Sequence, residues 1–262
     1  MRISAWTMPV LTLIAAAFGY RLRLSEIANV FDPITNLPER NAETTMWLIT
    51  LSLVYMLLIV VFAIITSVKH KALPGFENAF GTDPLAYPIL FVLVGIVWIV
   101  GTFIYFITLN AHSDLTAIDV YFIIFSVISA ISVALFAVEM YQDSRRKAPY
   151  ALSIVPAIFM CFWLILMYKQ NASNPILLSY VYLCLAIVAS ASSFYFTAGF
   201  LYGKPTPGKA IVTYYAAVFF CAVTLADDHP SGIKLIFCAL IVVNVIYSSL
   251  LLRNLQKRKL YL

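Results

Sequence analysis

Three sets of side chains in this 262-residue chain are of types that could do chemistry. The first is a pair of polar segments, one holding His112 and Asp114, the other Asp228 and His229. Imidazole nitrogens and carboxylate oxygens bind zinc, and a zinc with one open coordination position can activate water. Such a site near a membrane surface would suit a metal hydrolase acting on a lipid. Neither an HExxH nor an HxxxH spacing occurs, so a shared metal needs two separate segments to converge. The competing reading is that short connections facing water are simply polar. The second set lies inside long apolar runs. Ser179, Tyr182, Ala186, Ser190, Ser193 and Thr197 step by three and four, which puts them on one helix face. Ser126, Ser129 and Ser132 form a shorter stripe, Ser52 stands near Tyr55, and Asn244 is one turn from Ser248 with Tyr247 beside it. Small and hydroxyl side chains serve close helix–helix packing. They could equally line a cavity for a small neutral or amphipathic molecule, with Tyr55, Ser190, Ser193, Asn244, Tyr247 and Ser248 as its contacts. A buried amide such as that of Asn244 needs partners for two donors and an acceptor. The third set is the polar decapeptide "FDPITNLPER", in which Asp32, Thr35, Asn36 and Glu39 could form a gate or ligand contact, or merely a well-made turn.

The elements that position these groups follow from composition. The chain is 63% hydrophobic and 11% charged, against roughly 25% charged in soluble domains. Uncharged apolar runs of about 18 residues or more read as membrane-crossing helices. Eight are expected, at residues 3–20, 46–67, 88–109, 119–140, 150–168, 176–202, 210–226 and 233–252. The fold class is therefore all-α, a polytopic integral membrane bundle of eight transmembrane helices forming one domain, residues 1–262. A β-barrel is disfavoured, because its strands alternate in polarity over about ten residues. The four cysteines, Cys161, Cys184, Cys221 and Cys238, fall inside predicted spans without a CxxC pair, which fits small buried hydrophobes.

The net charge of +5 is unevenly spread. Twelve of the 17 Lys and Arg residues fall on the side of the two termini, five on the other. That bias places both termini in the cytoplasm of a plasma (bacterial inner) membrane. Basic groups at the tail then meet anionic headgroups, and no nucleic-acid partner is implied. The first apolar run also has features of a cleavable signal peptide. A retained first helix is the preferred reading, since Trp6 and Pro9 come early and the apolar run continues to Tyr20.

Leu24, Ile27, Ala28 and Phe31 fall at i, i+3, i+4 and i+7, one apolar helix face that Arg21, Arg23 and Glu26 do not share. The expectation is a short amphipathic helix on the outer interface, or an extension of the first span. Asp32-Pro33 then starts a turn and Pro38 bars helix continuation, giving a hairpin-like lid. Phe31, Asp32, Pro33, Thr35, Leu37 and Pro38 resemble an F-D-P-x-T-G-L-P loop of uncharacterised multi-pass membrane proteins of anaerobic Firmicutes. Asn36 replaces the glycine, and both residues tolerate a left-handed backbone. The resemblance implies a shared loop and membrane architecture, and no activity.

Apart from Asp119 and Lys234 at the very start of their spans, Glu139 is the one charged side chain within a predicted span, and it lies near the end, which argues against a carrier of ions or charged substrates. Nothing calls for a cofactor, and an enzyme is not favoured. The reading that results is an integral membrane protein that binds or passively transports a small neutral or amphipathic molecule through a polar-lined cavity. The alternatives are a non-catalytic membrane subunit or assembly factor with a membrane partner protein, and the metal hydrolase above. Reporter fusions test the topology: tags on the tail after Arg253 and within residues 31–40 should report opposite compartments.

Overall fold

The computed structural model describes residues 7–31, 37–39, 42–69, 75–82, 84–111, 115–140, 150–172, 174 and 176–257. Its helices are α1 (Thr7–Asn29), α2 (Glu43–Lys69), α3 (Phe76–Phe80), α4 (Ala86–Ala111), α5 (Ala117–Met140), α6 (Val155–Asn171), α7 (Val181–Leu201), α8 (Pro207–Thr224) and α9 (Ser231–Lys257). Short 3-10 turns at Tyr150–Ile154 and Leu177–Ser179 lead into α6 and α7. The fold is all-α, a polytopic helical bundle. Among the described residues seven helical stretches, not the expected eight, are long and apolar enough to cross a membrane. The exception is α1. Nothing between Gly19 and Asn29 breaks the helix, so it does not end near Tyr20 but runs on through Arg21, Arg23 and Glu26.

Helices α8 and α9 form the centre. About 72% of the apolar stretch of each is buried, against 33% for α2 at the periphery. Around α8 pack α1, α2 and α7; α4 lies on α9 and α5, and α6 bridges α5 and α7. The exposed side chains of the outer helices are themselves apolar, including Phe18, Leu53, Leu57, Ile64, Phe103 and Ile165. That is the surface a bilayer-embedded bundle needs. Inside, an aromatic chain runs through Trp98, Phe122, Phe159, Trp163 and Phe237.

Of the two readings of residues 21–29, the continuous α1 matches an extension of the first span and not a separate interfacial helix. Leu24 and Ile27 are exposed, whereas Arg23 and Glu26 are 1% and 0% exposed. The helix is inside out relative to a helix of a soluble protein: Arg23 and Glu26 face protein, while Leu24 and Ile27 face outward. After α1 the chain reverses: Phe31 and Pro38 form an isolated antiparallel bridge, and Glu39 N–H donates to Val30 O at 2.8 Å. The hairpin-like closure is thus present at its base, while Asp32, Thr35 and Asn36 lie outside the described residues.

At the opposite end, the connection between α2 and α4 is not a plain surface loop. Gly75, at φ +82°, turns the chain into α3, and a left-handed residue there favours glycine. Phe76 and Phe80 are buried, Phe76 against Phe136 and Phe80 against Phe200 and Tyr247. The amide of Asn254 donates to Ala79 O at 2.9 Å and Gly81 O at 3.0 Å, and Thr82 N–H donates to Met140 O at 2.8 Å. These bonds hold α3 as a plug.

Helices α4 and α9 approach most closely at two glycines. A Cβ on Gly232 would stand 2.3 Å from Gly101 O and 2.4 Å from Tyr105 N. Backbone atoms cannot yield as a flexible side chain can, so Gly232→Ala must push the two helices apart. Thermal melts of the purified protein should show a loss of about 1–3 kcal/mol, the usual cost of overpacking. Gly203→Ala is the counter-case: its Cβ has open space and its strain comes only from φ +70°, so α4–α9 packing should be untouched.

Candidate functional site

The polar centre of the molecule is an ionic node at the end of the bundle where α1 ends. Arg23 Nε donates to Asp227 Oδ1 at 2.7 Å, and Nη1 donates to Glu26 Oε2 at 2.7 Å. Nη1 also donates to Leu178 O at 3.2 Å, and Nη2 to Ser179 O at 3.1 Å. The guanidinium carbon also lies 5.2 Å from the centre of the Tyr182 ring, within cation–π reach. Thr45 donates to the second oxygen of Glu26 at 2.7 Å, and Thr224 to the second oxygen of Asp227 at 2.9 Å. One side chain thereby ties α1 to the start of α7 and to the α8–α9 connection, and Glu26 adds α2.

The node holds two carboxylates and one guanidinium. His229 lies beside it, its Nε2 3.3 Å from Thr224 Oγ1 and 3.9 Å from Asp227 Oδ2. Burial pushes the His229 pKa below its usual value, and the opposing pull of Asp227 does not restore it. With a neutral imidazole the node carries a net charge of minus one. This network is absent from the sequence-based expectation, which ends the first span at residue 20, before Arg23 and Glu26. The available signal was the i,i+3 pair Arg23-x-x-Glu26 directly after an apolar run, because such pairs at membrane depth are kept for structure or function.

Beside the node opens a lateral groove of about 610 Å³ between α2 and α7. Ile49, Leu53 and Met56 form one wall, Val181 and Leu185 the other, and Phe220 of α8 the floor. It exists because α2 leans on α1 and α8 while α7 leans on α8 and α6. Ser52 and Tyr182 are its polar side chains. Tyr182 belongs to both features: its ring covers Arg23, and its hydroxyl faces Ser52 and feels Glu26 and Asp227. Ser52 donates to Leu48 O at 2.8 Å, so what its oxygen presents to the groove is lone pairs.

The side chains singled out from the sequence are placed as follows. The stripe on α7 is a real face, and it is buried from Tyr182 through Ser190, Ser193 and Thr197. Its hydroxyls are used within the bundle: Ser193 donates to Ser190 O at 2.8 Å, Ser190 Oγ lies 3.5 Å from Cys221 Sγ, and Thr197 Oγ1 is 2.6 Å from Tyr214 Oη. Tyr55 donates to Thr12 at 2.7 Å and joins α2 to α1. Ser126 accepts from Trp98 Nε1 at 3.0 Å and joins α5 to α4. Tyr247 sits among Phe80, Phe91 and Tyr214, and Ser248 donates to Val245 O at 2.9 Å. Asn244 is fully buried; its amide donates to Leu240 O at 2.8 Å, and its Oδ1 has no protein partner. A void of about 10 Å³ touches Thr197 and Tyr247, no more than the room one water needs. The groove, by contrast, takes in none of Tyr55, Ser190, Ser193, Asn244, Tyr247 and Ser248.

Of the proposed metal ligands, His112 and Asp114 lie outside the described residues. Asp228 is exposed and His229 half-buried against the node. Among the described residues no three His, Cys, Asp or Glu side chains converge as metal ligands would. Between Glu26 and Asp227 the positive charge is supplied by Arg23. Glu39 is held by its backbone bond to Val30. Asp119 is used locally, accepting from Thr116 N–H at 3.0 Å and from the Thr116 hydroxyl at the start of α5.

The chain matches no protein-family model, no curated protein and no solved structure.

Removing one partner of a buried ion network strands the others, at a cost of about 3–5 kcal/mol. Arg23→Met should destabilise the purified protein by that order in thermal melts. The triple change Arg23→Met, Glu26→Gln, Asp227→Asn should recover part of the loss, because no unpaired charge is then left buried.

Proposed function

We propose that this protein is an integral membrane protein that binds a single-chain amphipathic molecule, taken laterally from the bilayer into the groove between α2 and α7. The observation that carries the reading is the junction of an apolar trough with polar side chains at one wall. A volume of about 610 Å³ lies in the roughly 300–1,000 Å³ range of small-molecule sites. Its walls suit a hydrocarbon chain, and Ser52 and Tyr182 are placed for a polar head. The groove opens among residues that face outward, Leu53 being 66% exposed and Leu177 59%, so a ligand dissolved in lipid reaches it without crossing the bundle.

The charge bias of the connections supports an orientation with both termini in the cytoplasm. In that orientation the node and the groove's polar wall belong to the outer leaflet. The outward apolar face of α1, with Val10, Leu13, Ile14 and Phe18 exposed, supports α1 as an embedded helix packed with the seven spans. The site thus differs from a polar-lined cavity deep in the bundle: recognition is lateral, and the buried hydroxyls serve packing.

The test is saturable binding of a fluorescent dodecyl alcohol to the protein in lipid nanodiscs. Met56→Trp, which fills the trough, should weaken binding at least about tenfold, the equivalent of about 1.4 kcal/mol. Ile96→Trp, an equally large change at an outward position of α4, should leave it unchanged. Non-saturable partitioning, or equal effects of the two substitutions, would remove the proposal.

A further inference from the structure

We infer that the groove selects its ligand by head group, taking a single-chain amphiphile with a hydrogen-bond-donating head, a cationic amine above all and an alcohol next, and rejecting a carboxylate. The inference rests on the groove reading above and adds to it the chemical class of the ligand.

Three observations converge. The groups beside Tyr182 carry one positive charge, on Arg23, against two negative charges, on Glu26 and Asp227. All three side chains are buried, so water screens their net negative field little along the nearby groove wall. A cationic head placed at Ser52 and Tyr182 is attracted and an anionic one repelled.

Four of the guanidinium's five donors are already taken. Its bonds run to Asp227, Glu26 and the carbonyls of Leu178 and Ser179, and the ring of Tyr182 lies over it. A carboxylate arriving in the groove finds at most one further donor, on Nη2; a bidentate pairing would have to displace one of those partners, leaving a buried carboxylate or carbonyl unpaired.

Ser52 offers the opposite chemistry. Its proton is committed to Leu48 O and the Tyr182 hydroxyl beside it takes one lone pair, so its oxygen keeps one acceptor position. An ammonium or hydroxyl head can donate there; a carboxylate, which only accepts, meets lone pairs.

The experiment compares dodecylamine, dodecanol and dodecanoate as competitors of the fluorescent dodecyl alcohol, at neutral pH in zwitterionic nanodiscs. Each affinity is corrected for the probe's partition into protein-free discs. The expected order is amine, then alcohol, then carboxylate, with at least about a tenfold gap between the first and last. Glu26→Gln keeps the shape of the node and brings its net charge to zero. That change should shrink the amine-to-carboxylate ratio by about threefold or more while leaving dodecanol within about twofold. Asp227→Asn is a second route to the same charge change, and the wild-type comparison requires no variant at all. Carboxylate binding equal to or tighter than amine binding would overturn the selectivity while leaving the groove intact, provided Met56→Trp still blocks dodecanol. Failure of all three probes to compete, or a cross-link showing a second copy of the chain seated between α2 and α7, would overturn both.

Discussion

A guanidinium without water must find its hydrogen bonds in protein, and the arrangement at one end of this bundle follows from that requirement. Arg23 lies in a helix whose neighbours are almost wholly apolar. Four of its five donors are met by two carboxylates and two backbone carbonyls drawn from α1, the turn before α7 and the connection after α8. The carboxylates need satisfaction in turn, and Thr45 and Thr224 supply it. No helix in this set could slide by a turn without leaving a charge unpaired, so the node sets the register of α1 against α2, α7 and α8. Apolar packing alone, which has no directional preference, could not.

The groove is a consequence of that register. With α1 tied to both α2 and the start of α7, the two outer helices stand on either side of α8 without meeting along their length. The gap would be filled by side chains in a soluble core. Here it opens to the surface where lipid would lie, and Tyr182 couples it to the charged groups behind. The same residue that covers Arg23 presents its hydroxyl toward Ser52, so the field of the node reaches the polar side of the trough. At the opposite end α3 closes the bundle with phenylalanines, held by the amide of Asn254.

Hydroxyl groups play a supporting part. Ser126 with Trp98, Tyr55 with Thr12, and Thr197 with Tyr214 each close a helix pair, which matches the packing account of such residues better than the lining of a central cavity. Asn244 stands apart, with one amide bond to its own helix and an oxygen left over.

What the amino-acid sequence determined was the solvent and the elements. Bilayer thickness translates directly into the length of an uncharged apolar run, so seven helices could be placed from hydropathy, and a period of 3.6 located the buried face of α7 through Tyr182 and Ser190. The sequence also carried the hairpin base at Phe31 and Pro38, because proline and turn residues act locally. The tertiary structure alone decided which face of α1 is inward. A rule made for water puts Leu24 and Ile27 inside; in lipid the preference reverses, and Arg23 and Glu26 go inward because only protein can satisfy them. Their partner Asp227 is 204 residues from Arg23 along the chain. No local pattern encodes that pairing, nor the gap between α2 and α7, since both arise from how separate helices lean on α8.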